Sequence, residues 1–89
     1  MSKLKLLLKI YFQSCIEAFR HKKGLTQEGM AEKLFISTRS YIDLEHGKSC
    51  CSSLTLMFFL GSLSDEECLQ FIHDLKKKII ERSMNDEVV

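Results

Sequence analysis

The chain contains no proline, and it has only four glycines in 89 residues. These two residue types supply most of the tight turns between β-strands, so a sheet of many strands is disfavoured. Apolar residues instead recur at steps of three and four in several segments, which is the spacing of one face of an α-helix. Because a chain of this length buries one hydrophobic core but not two, we predict a single all-α domain over residues 1–89.

Start and stop signals divide the sequence into five predicted helices. Serine or threonine stands at each predicted start after the first, with Ser64 and Glu67 forming a capping box, and glycine follows several of the ends. The predicted helices cover residues 4–22, 26–33, 37–46, 53–60 and 65–82, and residues 83–89 lack periodicity and are predicted to fray. A strand stays an alternative over residues 4–10, where apolar residues also alternate with lysines. The densely apolar fourth segment is predicted to be a buried helix.

The net charge of +1 hides a mild asymmetry. Residues 1–59 carry nine Lys and Arg against five Asp and Glu, whereas residues 60–89 carry four against seven. The basic excess permits a polyanion as partner without requiring one. No apolar run approaches the roughly 20 residues that span a bilayer, and no small-residue cleavage site follows the N-terminal leucines. We therefore expect a cytoplasmic protein that does not bind membranes.

Residue spacing disfavours several classes of functional site. The four cysteines, Cys15, Cys50, Cys51 and Cys68, show no paired C-x-x-C spacing, so we expect reduced thiols and no metal site. No role is assigned to the adjacent Cys50 and Cys51. The sequence also offers no phosphate-binding loop and no Ser-His-Asp order, so we expect no enzymatic activity, no cofactor and no small-molecule ligand.

The most specific pattern lies in residues 25–48, where two short predicted helices meet at a tight turn. Ala31 falls where the two helices pass closest, and a steep crossing there requires a side chain no larger than a methyl group. Residues 25–48 resemble the helix-turn-helix of the Cro and phage-repressor-like family, also called XRE-like. The matching residues are Leu-Thr-Gln-Glu at 25–28, Ala-Glu-Lys-Leu at 31–34, Ile-Ser at 36–37, Leu-Glu at 44–45 and Gly-Lys at 47–48. The resemblance implies a five-helix, repressor-like DNA-binding domain with the helix-turn-helix at helices 2 and 3.

The resemblance also implies roles for individual residues on double-stranded DNA. Predicted base contacts are Thr38, Arg39 and Asp43, and predicted phosphate contacts are Gln27, Ser37, Ser40 and Lys48. The first turn of a helix lying in the major groove faces base edges, and an arginine can bind guanine O6 and N7 in a bidentate manner. The Asp43 carboxylate either accepts a hydrogen bond from cytosine N4 or orients Arg39, four residues earlier on the helix.

Two residues depart from the family pattern. Phe35 stands at the turn where the family often has glycine, so either it is held at positive φ, at a cost on the order of 1 kcal/mol, or the turn has another shape. Gly29 lies inside the second predicted helix, where glycine costs about 0.5–1 kcal/mol relative to alanine. This second departure leaves room for a neighbouring group to approach closely.

We therefore expect a sequence-specific DNA-binding transcriptional regulator, a repressor that binds a palindromic operator as a homodimer. The predicted dimer surface is helix five, through Leu69, Ile72, Ile79 and Ile80. The start of helix one, with Leu6 and Ile10 outside its apolar stripe, is the second candidate. The alternative from another class is a protein-binding module that keeps the fold, such as the antitoxin of a toxin-antitoxin pair or an adaptor.

Overall fold

The chain folds into an arrangement of α-helices. A computed structural model describes the backbone of residues 2–88 and the side chains of residues 2–82. Over residues 2–88 it has five helices and no strand: α1 (Lys3–Lys22), α2 (Gln27–Lys33), α3 (Thr38–Glu45), α4 (Ser53–Ser62) and α5 (Asp65–Val88). The all-α prediction is confirmed. The alternative of a strand over residues 4–10 is wrong, because those residues form the first turns of α1.

Serine and threonine caps satisfy backbone amides at the helix starts, and all of them except Ser2 were predicted from the sequence. The side chain of the residue before each of the first four helices accepts a hydrogen bond from a first-turn amide, the four caps being Ser2, Thr26, Ser37 and Ser52. At the start of α5, the Glu67 amide donates to Ser64 Oγ at 3.2 Å, and the Ser64 amide donates to Glu67 Oε1 at 2.9 Å. The capping box is therefore confirmed.

The close neighbour of Gly29 is the cap of its own helix. A Cβ atom at this position would lie 3.3 Å from Thr26 Oγ1, which accepts the hydrogen bond of the Gly29 amide. The glycine therefore gives room to the N-cap of α2, and the space left inside the predicted helix is filled from within the chain.

Helix α5 continues beyond its predicted end at residue 82. It runs to Val88, six residues past the predicted end. The fraying of residues 83–88 stays a prediction, and residue 89 of that predicted tail lies outside the described residues. Residues 83–88 contain neither glycine nor proline, the two residues that most readily end a helix. The loss of apolar periodicity there removes a packing face but does not stop the helix.

The hydrophobic core takes side chains from every helix. The buried apolar residues are Ile16, Phe19, Met30, Ala31, Leu34, Tyr41, Leu44, Phe59 and Phe71. Phe59 of α4 lies at the centre, with edge-to-face contacts to Phe12, Phe19 and Phe71 at ring-centroid distances of 5.5–5.7 Å. These contacts hold α4 and α5 against α1, and the other face of α1 is left to support α2 and α3.

Helices α1 and α5 run antiparallel. Lys22, at the end of α1, contacts Glu67 at the start of α5 with an Nζ–Oε2 distance of 3.1 Å. Half-way along, the Tyr11 hydroxyl donates to the Phe71 carbonyl at 2.9 Å. The exposed residues of α5, Leu69, Ile72 and Ile80, therefore face away from α1.

Candidate nucleic-acid interface

Helices α2 and α3 pack closely around a short turn. Ala31 is buried between them, and the Ile36 amide donates to the Ala31 carbonyl at 3.1 Å, which brings the chain back across the end of α2. Phe35 occupies this turn with φ 57°. The first of the two expected outcomes therefore holds, since a non-glycine residue is kept in the left-handed region at a cost on the order of 1 kcal/mol.

The Phe35 ring recovers part of that cost by contact with α4. Its centroid lies 4.6 Å from that of Phe58, although the Phe35 side chain stays 74% exposed. Aromatic pairs of this kind contribute about 0.5–1.5 kcal/mol. The turn between α2 and α3 is thus tied to α4 through an aromatic pair at the surface.

A buried carboxylate, Glu45, joins α1, α2 and α3. Arg20 of α1 donates to both of its oxygens, with Nε to Oε2 at 2.8 Å and Nη2 to Oε1 at 2.9 Å. Gln27 of α2 donates through Nε2 to Oε1 at 3.2 Å, and the Tyr41 hydroxyl of α3 donates to Oε2. One side chain therefore ties α2 and α3, which carry the predicted site, to α1.

The contacts of Glu45 keep it ionised. Burial raises its pKa, but the hydrogen bonds from Arg20, Tyr41 and Gln27 together outweigh burial and hold the pKa below its ordinary value. The hydrogen bond to Glu45 in turn raises the pKa of Arg20. At neutral pH the pair is therefore a charged, bidentate ion pair.

Sequence reasoning assigned no role to Arg20 or Glu45. One signal was present, because Glu45 follows Leu44 and lies four residues after Tyr41, on the buried side of α3. A charged residue on a buried helix face requires a partner. The sequence does not identify that partner, which lies 25 residues earlier in the chain.

The predicted phosphate contact Gln27 is half-buried. Its amide nitrogen is engaged with Glu45, so one of its two amide hydrogens is used within the chain and one remains for an outside acceptor. The contact of Gln27 with a DNA phosphate stays a prediction. The hydrogen bond to Glu45 gives its amide group a fixed orientation.

The first turn of α3 brings the other predicted contacts to the surface. Residues 37–40 are all exposed. The Ser37 hydroxyl donates to Ser40 Oγ at 2.9 Å and accepts from the Ser40 amide at 3.1 Å, so Ser37 acts as the helix cap. The Ser40 hydroxyl keeps its own hydrogen to donate, and Thr38 and Arg39 extend beside it. Four predicted contacts are thus brought together.

Lys48 lies apart from this group. It follows Gly47, which takes φ 77° and ends α3, so an eight-residue helix of about 12 Å separates Lys48 from Ser37. The Lys48 side chain is exposed, while its amide donates to the Asp43 carbonyl at 2.8 Å. The structure therefore places the predicted phosphate contacts at both ends of α3.

The local charge of the candidate surface is close to balanced. Residues 25–48 contain three basic and four acidic residues. Glu45 is neutralised by Arg20, and Asp43 lies 3.5 Å from Arg39. Exposed cations flank α3, but they do not form a strongly positive patch, and any electrostatic attraction to a polyanion is modest.

Three of the four predicted dimer residues on α5 are exposed. Leu69, Ile72 and Ile80 are 70%, 39% and 57% exposed along one side of α5, whereas Ile79 is half-buried. Leu6 and Ile10 of α1 are each about half exposed. Both candidate surfaces therefore carry accessible apolar side chains.

A further apolar surface was not predicted from the sequence. The fourth helix is not buried all round, since Leu54 and Met57 are 61% and 65% exposed. They lie on the side of α4 away from the core residue Phe59, because they precede it by five and two residues on the helix. Together with Phe35, these two residues form what we term the α4 patch.

Other kinds of site find little support in the described residues. No group of three or more His, Cys, Asp and Glu side chains within residues 2–82 is arranged to hold a metal ion. The four cysteines are free thiols, and burial raises the pKa of Cys51 to about 11, which keeps that thiol protonated. None of the described helices has both the length and the apolar character needed to cross a membrane.

Comparison with models of known protein families, with curated proteins and with solved structures finds no match to this chain. The likeness of residues 25–48 to the Cro and phage-repressor-like family therefore remains a resemblance of sequence. Support for a function comes from the exposed residues of α3 and from the contacts that hold this helix in place.

Proposed function

We propose that this protein is a sequence-specific DNA-binding transcriptional regulator in which α2 and α3 form a helix-turn-helix. The observation that carries the proposal is the exposed first turn of α3, which presents Thr38, Arg39 and Ser40 outward on a helix fixed by the buried Glu45 contacts. A rigid helix with polar side chains on its free face fits the major groove of B-DNA, which admits one α-helix.

On this proposal the residues of α3 and of the segment just after it divide into two groups. Thr38 and Arg39 contact base edges, and Ser40 and Lys48 contact phosphates on either side of the groove. Gln27 donates its remaining amide hydrogen to a phosphate. Ser37 acts through the cap, which leaves the first amides of α3 directed at the DNA backbone.

The protein binds as a homodimer on this proposal. One recognition helix reads roughly three to five base pairs, and about 1–3 kcal/mol per good contact is too little to select a single site in a genome. Two copies on half-sites about 34 Å apart double the information, and the site is then a palindrome. Repression follows from occlusion of the DNA. The exposed side of α5, with Leu69 and Ile72, is the surface we assign to the dimer.

Selection from a random duplex library tests the proposal. We expect the wild-type protein to enrich a two-fold symmetric motif and to lose affinity steeply as salt rises, because phosphate contacts release counterions. Arg39→Ala should weaken the enriched site by roughly 5- to 150-fold, the equivalent of about 1–3 kcal/mol. Lys77→Ala, which removes an exposed cation of α5, is the control and should leave the motif unchanged. A flat salt dependence and no enriched motif would refute the proposal.

A protein-binding module, such as an antitoxin or an adaptor, is the second candidate. The α4 patch favours it, since Phe35 in the turn before α3 and Leu54 and Met57 on α4 expose apolar surface. A purely DNA-binding surface is expected to be polar. The near-balanced charge of residues 25–48 points the same way. A protein partner would bind equally well to Arg39→Ala and would be lost with Met57→Asp, which is the reverse of the pattern expected for DNA.

A further inference from the structure

Arg39 and Asp43 form an unusual pair on α3. The Arg39 side chain is 75% exposed, whereas that of Asp43 is 29% exposed, and Arg39 Nε lies 3.5 Å from Asp43 Oδ1. That oxygen has almost no accessible surface, and it accepts no hydrogen bond from the described part of the chain. One oxygen of a partly exposed carboxylate is thus shielded from solvent, and it lies beside the edge of an exposed guanidinium.

We propose that Asp43 is a positioning residue that holds Arg39 by its Nε edge, and that the held arginine selects a guanine in each half-site. This inference rests on the proposed DNA-binding function. It assigns the two residues to a single base pair, with Arg39 as the group that contacts the base.

The shape of the Arg39 guanidinium explains why an arginine held in this way would prefer guanine. It has five N–H donors, and its Nε lies 3.5 Å from Asp43 Oδ1. A carboxylate that holds the Nε edge leaves the four donors on the two Nη nitrogens for a base. Guanine presents two acceptors, O6 and N7, on its major-groove edge, and two parallel N–H donors match them. Holding the arginine before DNA arrives reduces the side-chain freedom that is lost on binding.

The burial of Asp43 Oδ1 argues against direct reading of cytosine by that atom. A cytosine N4 amino group must approach a carboxylate oxygen within hydrogen-bond distance, and an oxygen without accessible surface cannot be approached. The negative charge also repels phosphates, so Asp43 reduces affinity for DNA of any sequence. Asp43 therefore lowers the affinity for DNA of any sequence and raises the preference for one base.

Removal of the Asp43 charge should therefore change base preference and general DNA affinity in opposite directions, which a loss of folding would not do. Asp43→Asn removes the charge with little change of shape. We expect it to lower the preference for guanine at one position while leaving binding to a random duplex equal to or tighter than that of the wild type. A destabilised protein would instead weaken on both duplexes.

The experiment measures dissociation constants on the selected operator and on versions of it in which each base pair of a half-site in turn is replaced by the three others. For the wild type we expect guanine to be preferred by roughly 5- to 150-fold at the Arg39 position. Arg39→Lys keeps the charge but loses the forked donors, so the preference should fall towards one while random-duplex binding persists. Asp43→Asn should lower the preference several-fold at the same base pair. Asp74→Asn is the matched control, because Asp74 also has an i,i+4 partner, Gln70 on α5.

Three results would overturn the inference while the proposed function stands. In the first, Asp43→Asn changes the preference at a different base pair from Arg39→Lys, which is the signature of direct cytosine reading. In the second, Asp43→Asn leaves every preference intact. In the third, the base pair that depends on Arg39 shows no preference for guanine. If the wild type enriches no motif at all, the proposed function itself fails.

Discussion

Replacement of Arg20 by alanine tests how far the position of α3 depends on the buried ion pair. Arg20 donates two hydrogen bonds to Glu45, at 2.8 and 2.9 Å, and the Glu45 side chain is only 6% exposed. Loss of one partner from a buried pair costs roughly 3–5 kcal/mol, because the remaining charge stays desolvated. Arg20 is 15% exposed, so water reaches part of the vacated space. We therefore expect Arg20→Ala to lower the free energy of unfolding by about 3 kcal/mol.

Arg39→Ala is the matched comparison, since it also removes an arginine from an ion pair with an acidic residue. Its Nε–Oδ1 distance is 3.5 Å and its side chain is 75% exposed, and exposed pairs contribute only about 0–1 kcal/mol. Urea unfolding followed by far-UV circular dichroism measures both variants. A loss of 3 kcal/mol corresponds to a Tm lower by at least about 12 °C in a domain of this size. Equal unfolding midpoints for the two variants would refute the structural role of the Glu45 contacts.

Three further outcomes follow from the structure. Gly47→Ala should lower the free energy of unfolding by about 1–2 kcal/mol, because φ is 77° and a Cβ atom would lie 2.9 Å from a side-chain oxygen. Gly61→Ala in α4 should instead raise it by about 0.5 kcal/mol in the same assay, because a Cβ atom there has nothing within 4 Å. The backbone hydrogen bond from residue 64 lowers the pKa of Glu67 to about 2 from 4.5, so its stabilising effect is complete above pH 4.5 and is lost as the pH falls towards 2; Glu67→Gln should show a shallower acid unfolding curve. If the protein forms the proposed homodimer, Leu69→Glu should yield a folded monomer in sedimentation while Leu6→Glu stays dimeric. The reverse result would move the proposed dimer surface to α1.

The local features of the fold were predictable from the sequence. Hydrogen bonds at helix starts join residues three apart, so Thr26, Ser37 and Ser64 could be identified as caps without knowledge of the tertiary structure. The positive φ of Phe35 was one of two outcomes left open, because the departure from the family's glycine marks the turn but does not decide its shape. Helix α5 was predicted too short because periodicity reports a packing face, and a helix without breakers continues after its packing face ends.

The features that were missed depend on distant contacts. Arg20 and Glu45 are separated by 25 residues, and neither residue alone reveals its partner. The exposure of Leu54 and Met57 depends on how many helices cover α4, which a strongly apolar sequence does not report. For the candidate site, the sequence assigned the residue types of α3 and offered the pairing of Arg39 with Asp43 as one of two alternatives. The burial of Asp43 Oδ1 and the orientation of Gln27 required coordinates.

The Glu45 contacts have a consequence for how such a protein can evolve. The residues that fix the orientation of α3 face inward, whereas Thr38 and Arg39 face outward and take no part in the core. Substitutions at the outward positions therefore leave the free energy of folding almost unchanged. On the proposed function, a lineage could acquire a new target sequence through one or two surface replacements, with no compensating change in the interior.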